Sequence, residues 1–155
     1  MKINKAIKNK ALPSFCTSNI EVIKTILFFC NIKKLPCLIE STSNQVNQHG
    51  GYTNKTPKMF VKEISSLRKK IKFDSKRLFL GGDHLGPLPW GKKNKNIAIK
   101  NSISLINDYL SENFCKIHID TSIKCKNDKF INSEIVFNRT SEILNNDSIK
   151  KKILN

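Results

Sequence analysis

The sequence predicts an α/β protein with a parallel β-sheet. Three observations carry that reading. Short apolar runs recur at near-equal intervals, at Pro36-Cys37-Leu38-Ile39, Arg77-Leu78-Phe79-Leu80 and Lys116-Ile117-His118-Ile119. Each is followed by polar residues or glycine, as expected of a strand buried on both faces. Stretches with helical periodicity fill the intervals, and such alternation is what right-handed βαβ crossovers produce.

The elements follow in order. Ala11 to Cys16 is a weaker first strand, interrupted by Pro13. Ile20, Ile23, Leu27 and Cys30 share one helical face, and Ser18 and Glu21 have capping-box spacing at its start. After the second strand, Phe60, Ile64, Leu67 and Ile71 repeat at the same period. Thr56 suits the N-cap there and Pro57 the first turn. After the third strand, Ile99, Ile103, Ile106 and Leu110 make a third apolar face. Ser133 to Leu144 is a weaker fourth helix, with Ile135, Val136, Ile143 and Leu144 as its apolar members. Four βα units fit either a small doubly wound sheet or half of a (β/α)8 barrel, which typically needs ~250 residues.

The chain has 155 residues, which suits one domain spanning 1–155. No apolar run approaches the ~20 residues that cross a bilayer. The four lysines among the first ten residues are not followed by the apolar stretch of a signal peptide. A soluble cytoplasmic protein is the expectation. The net charge is +16, but lysine outnumbers arginine 25 to 3, and the lysines are spread along the chain. With 21 Ile and 18 Asn, this is the composition of A/T-rich coding DNA. Solvated surface lysine explains the charge better than specific nucleic-acid recognition, which concentrates basic residues on one face and adds a recognisable motif. The five cysteines include no C-x-x-C pair, so neither a zinc finger nor a redox pair is indicated. P-loop and G-x-S-x-G motifs are absent, which removes P-loop phosphoryl transfer and serine hydrolysis.

In both architectures ligands bind at the carboxyl ends of the strands, and the unusual residues stand there. Glu40 to Tyr52 is a long polar loop with amides at Asn44, Gln45, Asn47 and Gln48. Amides donate and accept together, which suits a sugar, or they satisfy their own backbone. Gly81-Gly82 at a strand end allows a turn and close ligand approach, and Asp83-His84 offers an acid–base group and a metal ligand. The bland alternative is a turn capped by Asp83 with a solvated His84. His118 and Asp120, two apart, share one face of the fourth strand. His49, His84 and His118 together offer three imidazoles to a metal.

At these loops the sequence resembles a known family. The stretches LIESTSNQVNQHGGYTNKTP (Leu38 to Pro57), LGGDHLGPLPW (Leu80 to Trp90) and KIHIDTSIKC (Lys116 to Cys125) resemble the GatZ/KbaZ-type subunit of D-tagatose-1,6-bisphosphate aldolase. Members of that family have full (β/α)8 TIM-barrel size, and this chain resembles their N-terminal portion, roughly the first four βα units. The resemblance therefore implies a partial, truncated TIM-barrel domain. It also implies carbohydrate catabolism through tagatose phosphates, as a mostly non-catalytic accessory subunit of a separate class II, zinc-dependent aldolase subunit. Some relatives are metal-dependent epimerases, so a sugar-phosphate aldolase or epimerase is the alternative. A decaying gene product is another, given the composition and short length.

Carried over by position, Glu40, Ser43, Asn44, Gln45, Asn47 and Asp120 match substrate-side motifs. Asp83 matches the proton-transfer aspartate of class II aldolases, with His84 and His118 on the zinc side. The family has His where this chain has Asn19, Asn where it has Leu88, and Ala-Gly where it has Lys126-Asn127. These departures count against phosphosugar binding. An open half-barrel is also expected to pair, with the catalytic subunit or with a second copy.

Overall fold

The computed structural model describes residues 11–154. Four strands form one parallel sheet: β1 (Ser14–Cys16), β2 (Cys37–Thr42), β3 (Leu78–Leu85) and β4 (Lys116–Ile119). The helices are α1 (Ile20–Ile32), α2 (Pro57–Ile71), α3 (Lys95–Ser111), α4 (Ser133–Leu144) and α5 (Asp147–Leu154). The sheet order is β1-β2-β3-β4. A doubly wound sheet reverses its order at a switch point, and this one does not. Successive right-handed crossovers in one direction put every helix on one side of the sheet, as in a (β/α)8 barrel. The fold is four consecutive βα units of that kind.

Pleat and register sort the side chains. Ile39 and Ser41 of β2 face the helices, where Ile23, Leu27, Phe60, Ile64, Leu105, Ile106 and Tyr109 complete a buried core. The buried Ser41 hydroxyl bonds Tyr109 Oη at 2.9 Å, and Tyr109 donates to the Val46 carbonyl at 3.0 Å. Having one proton, Tyr109 must accept from Ser41. This chain ties α3 to β2 and to the loop beyond it.

Thr56 caps α2 through Met59 N, with Pro57 at the first position, as the sequence indicated. At α1 the cap is Asn19, whose Oδ1 accepts from the amides of Glu21 and Val22, and not Ser18. β1 begins only after Pro13, which lacks the N–H a ladder needs. β2 and β3 run past their apolar stretches to Thr42 and Leu85, because their parallel ladder continues through Glu40↔Gly81 and Thr42↔Asp83. The α5 helix was not foreseen. Its lysine run Lys150 to Lys152 reads as solvated surface, yet Ile149 between those lysines and the helix start is fully buried. The Lys152 ammonium donates to the Asn107 carbonyl of α3 at 2.9 Å.

Candidate functional site

On the face of the sheet opposite the helices, Cys16, Glu40, Gly81 and Lys116 stand in one row, one from each strand. Gly81 has no side chain, so Glu40 and Lys116 reach toward each other across β3 and pair at 2.6 Å. A Cβ at Gly81 would lie 2.7 Å from Glu40 Oε1. The other Glu40 oxygen accepts from the Ser14 hydroxyl. Glu40 is only 4% exposed, and both its oxygens are engaged inside the protein. The half-exposed Lys116 is the member of the pair that reaches the surface.

Sequence reasoning read Gly81-Gly82 as a place where the backbone turns. Instead both are extended strand residues without positive φ. Gly81 leaves room for the ion pair. Gly82 leaves room for Leu85 and Tyr109, whose side chains a Cβ there would meet at 2.5 and 3.0 Å.

One layer up lie Asp83, His84 and His118. Adjacent residues of a regular strand point to opposite faces, so Asp83 and His84 should diverge. They do not, because β3 carries an irregularity between Gly82 and Leu85 and His84 has φ of 50°. Left-handed backbone is costly for a residue with a Cβ and concentrates at functional sites. The Ser43 hydroxyl donates to the His84 carbonyl at 3.1 Å and pins the bulge. His84 Nδ1 then lies 3.0 Å from Asp83 Oδ2, and His118 Nδ1 bonds Asp83 Oδ1 at 2.9 Å. The two imidazoles meet edge to face with centroids 4.4 Å apart.

Ligand atoms of Asp83, His84 and His118 all lie within 4.8 Å of one another. Two imidazoles and a carboxylate on one partly exposed face fit zinc, which takes nitrogen and oxygen donors and keeps an open position in catalytic sites. Burial works to raise the Asp83 carboxyl, but His118 and His84 outweigh it and hold it below the ordinary carboxylate range. Burial and the nearby Asp83 charge push the Cys16 thiol up to about 11, so it stays protonated at neutral pH.

The other expected residues lie elsewhere. His49 packs edge-on against Trp90 at 6.3 Å and is not part of the imidazole cluster. Asn47 is buried. Its Oδ1 accepts from the amides of His49 and Gly51, and its Nδ2 donates to the Ser43 carbonyl. Gln45 Oε1 accepts from the Thr42 amide. Ser43 is fully buried. The Asn44 carbonyl accepts from the Tyr52 amide. Asp120 closes its own turn through the Ser122 amide and hydroxyl, which help hold its carboxyl low against burial. Ser14 and Lys116 were missed as site-face residues. Lys116 was findable, since it lies two before His118 on the same strand face.

The family model for D-tagatose-1,6-bisphosphate aldolase subunit GatZ/KbaZ-like proteins matches residues 1–151. The chain belongs to that family. Among curated GatZ/KbaZ relatives, the D-tagatose-1,6-bisphosphate aldolase subunits GatZ of Escherichia coli strains E24377A and K12 are each 40% identical over 125 residues. That span covers 81% of this chain and 30% of each relative. A crystal structure of a probable tagatose 6 phosphate kinase from Sinorhizobium meliloti 1021 aligns with a TM-score of 0.85 at 32% identity, over 92% of this chain and 37% of that one. The chain thus spans about a third of the length of the proteins it matches. No described helix is long and apolar enough to cross a membrane.

Proposed function

We propose that this GatZ/KbaZ-family chain forms one barrel-type domain that acts as an accessory subunit in tagatose-phosphate catabolism, in the cytoplasm. On this reading it supports the activity and stability of a class II aldolase catalytic subunit. The observation that carries it is the family match over residues 1–151 together with relatives described as aldolase subunits. The open parallel sheet supports a protein partner: among the described residues β1 and β4 are edge strands, and edges invite pairing. Self-association through the same edges is the competing arrangement.

A second reading, a zinc-dependent sugar-phosphate aldolase or epimerase, is favoured by one observation, the Asp83–His84–His118 cluster. There His84 and His118 would hold the metal, and bound zinc would supply Lewis-acid polarisation of a carbonyl or hydroxyl oxygen. Asp120 and the amides of Asn44 and Gln45 border the strand ends as candidate sugar contacts. Glu40, Ser43 and Asn47 would act from beneath, by fixing Lys116, the bulge and the loop. The test mixes the purified chain with a class II tagatose-bisphosphate aldolase catalytic subunit. Co-elution and a longer activity half-life of that subunit are expected. No complex and no change in half-life overturn the accessory reading, and aldol cleavage or epimerisation by the chain alone supports the second.

A further inference from the structure

The three groups of the cluster do not face one another as equal ligands. The two oxygens of Asp83 are divided between two imidazoles, Oδ1 to His118 Nδ1 and Oδ2 to His84 Nδ1. Both contacts use the same ring nitrogen. The His118 contact is a hydrogen bond and the His84 contact a 3.0 Å ion-pair approach. Because an ionised carboxylate only accepts, a neutral imidazole suits either contact with its proton on Nδ1, which leaves Nε2 with its lone pair. Carboxylates commonly stand behind metal-bound histidines in this way, fixing tautomer and ring orientation.

We propose that Asp83 is a positioning residue that holds His84 and His118 together as Nδ1–H tautomers, so that their Nε2 atoms form a two-nitrogen metal site. This deepens the metal reading above and rests on it for the identity of the ligand. It gives Asp83 an orienting role in place of proton transfer. Three features build the arrangement, although the bulge also delivers Leu85 to the core. The bulge after Gly82 turns His84 to the side of Asp83. The left-handed backbone at His84 is retained at a residue where glycine would be free of strain. Both imidazoles stay about half exposed, with the carboxylate beneath them more buried, so the free edges of the rings face outward.

The test is long-range proton–nitrogen correlation NMR on the full nitrogen-labelled chain, at a pH where both imidazoles are neutral. In the metal-free chain, His84 and His118 are expected to carry their protons on Nδ1. Zinc addition is expected to move the Nε2 resonances of both while Nδ1 stays protonated. In Asp83→Asn one oxygen remains to accept, so one ring loses its fixed tautomer and zinc binds ~10–100-fold more weakly at unchanged stoichiometry. A proton on Nε2 of either ring in the metal-free chain overturns the proposal, and so does a zinc shift at Nδ1. If the chain takes up no zinc, the metal reading falls, and the tautomers of the metal-free chain still decide the role of Asp83.

Discussion

The loop after β2 and the end of β3 look alike in the sequence: both are polar, glycine-bearing and adjacent to an apolar strand. They differ in where their side chains go. Between Ser43 and Gly51 the buried polar groups serve the loop itself, and Asn47 alone binds two amides and a carbonyl of its own loop. At the end of β3 the backbone takes on strain, and Asp83 and His84 turn toward His118 on the next strand. A polar residue type therefore says little until its backbone demands are counted. The β2 loop has many unpaired backbone groups to satisfy, whereas the β3 backbone is paired through Thr42↔Asp83, which leaves the Asp83 side chain for other work.

This contrast predicts that substitutions in the two regions separate stability from metal binding. The largest stability effect is expected at Gly86, where a Cβ would overlap the Asp120 carbonyl oxygen. Gly86→Ala should cost more than ~3 kcal/mol, seen as loss of cooperative thermal unfolding. The loop after β4 should behave as the structural kind. There Asp128 pairs with the buried Arg139 guanidinium at 2.6 Å and also accepts from the Cys125 amide. Asp128→Ala should cost about 3 kcal/mol by leaving Arg139 buried without its counter-charge.

The same pair sets a pH dependence. Burial alone would raise the Asp128 carboxyl, but Arg139 and the Cys125 amide hold it below its unfolded value. Its contribution to stability is then fully present above the ordinary carboxylate range and is lost as pH falls through the depressed value. Urea unfolding across that acid range should show the loss in wild type and not in Asp128→Asn.

Asn47→Ala is expected to cost ~2 kcal/mol in urea unfolding by orphaning the His49 and Gly51 amides, with zinc binding unchanged. A loss of zinc binding in that variant would break the contrast. His84→Gly is the smallest in stability and the most diagnostic. Glycine relieves the left-handed backbone at that position, so stability should hold or rise by up to ~1 kcal/mol while zinc binding disappears. A destabilised His84→Gly protein would mean that the imidazole is a packing element.

Much of the fold was legible. The three apolar runs, the helical periodicities and the Thr56-Pro57 start mark the elements, because buried faces impose a period. The lengths of β2 and β3 were not, since Glu40 to Thr42 and Gly81 to Asp83 are polar or glycine and belong to strands only through the neighbouring ladder. Nor was the Asn19 cap, because Asn19 and Ser18 are chemically equivalent as caps and only geometry chooses between them. Of the site, Asp83, His84 and His118 were legible as residue types at strand ends. A barrel also places His118 near Asp83 and His84, but the bulge that turns His84 to the side of Asp83 was not legible, because a regular strand would have sent His84 to the far face. His49 looked equivalent to the other two histidines in sequence and lies against Trp90. Lys116 was obscured by a composition in which lysine is everywhere.

The most direct test of the central claim is zinc content per chain after zinc loading and gel filtration, in wild type and in the His84→Ala/His118→Ala double variant. Near one equivalent in wild type and none in a folded double variant is the predicted result. Zinc-free wild type, or zinc retained by the double variant, would contradict the assignment of this strand-end cluster as a metal site.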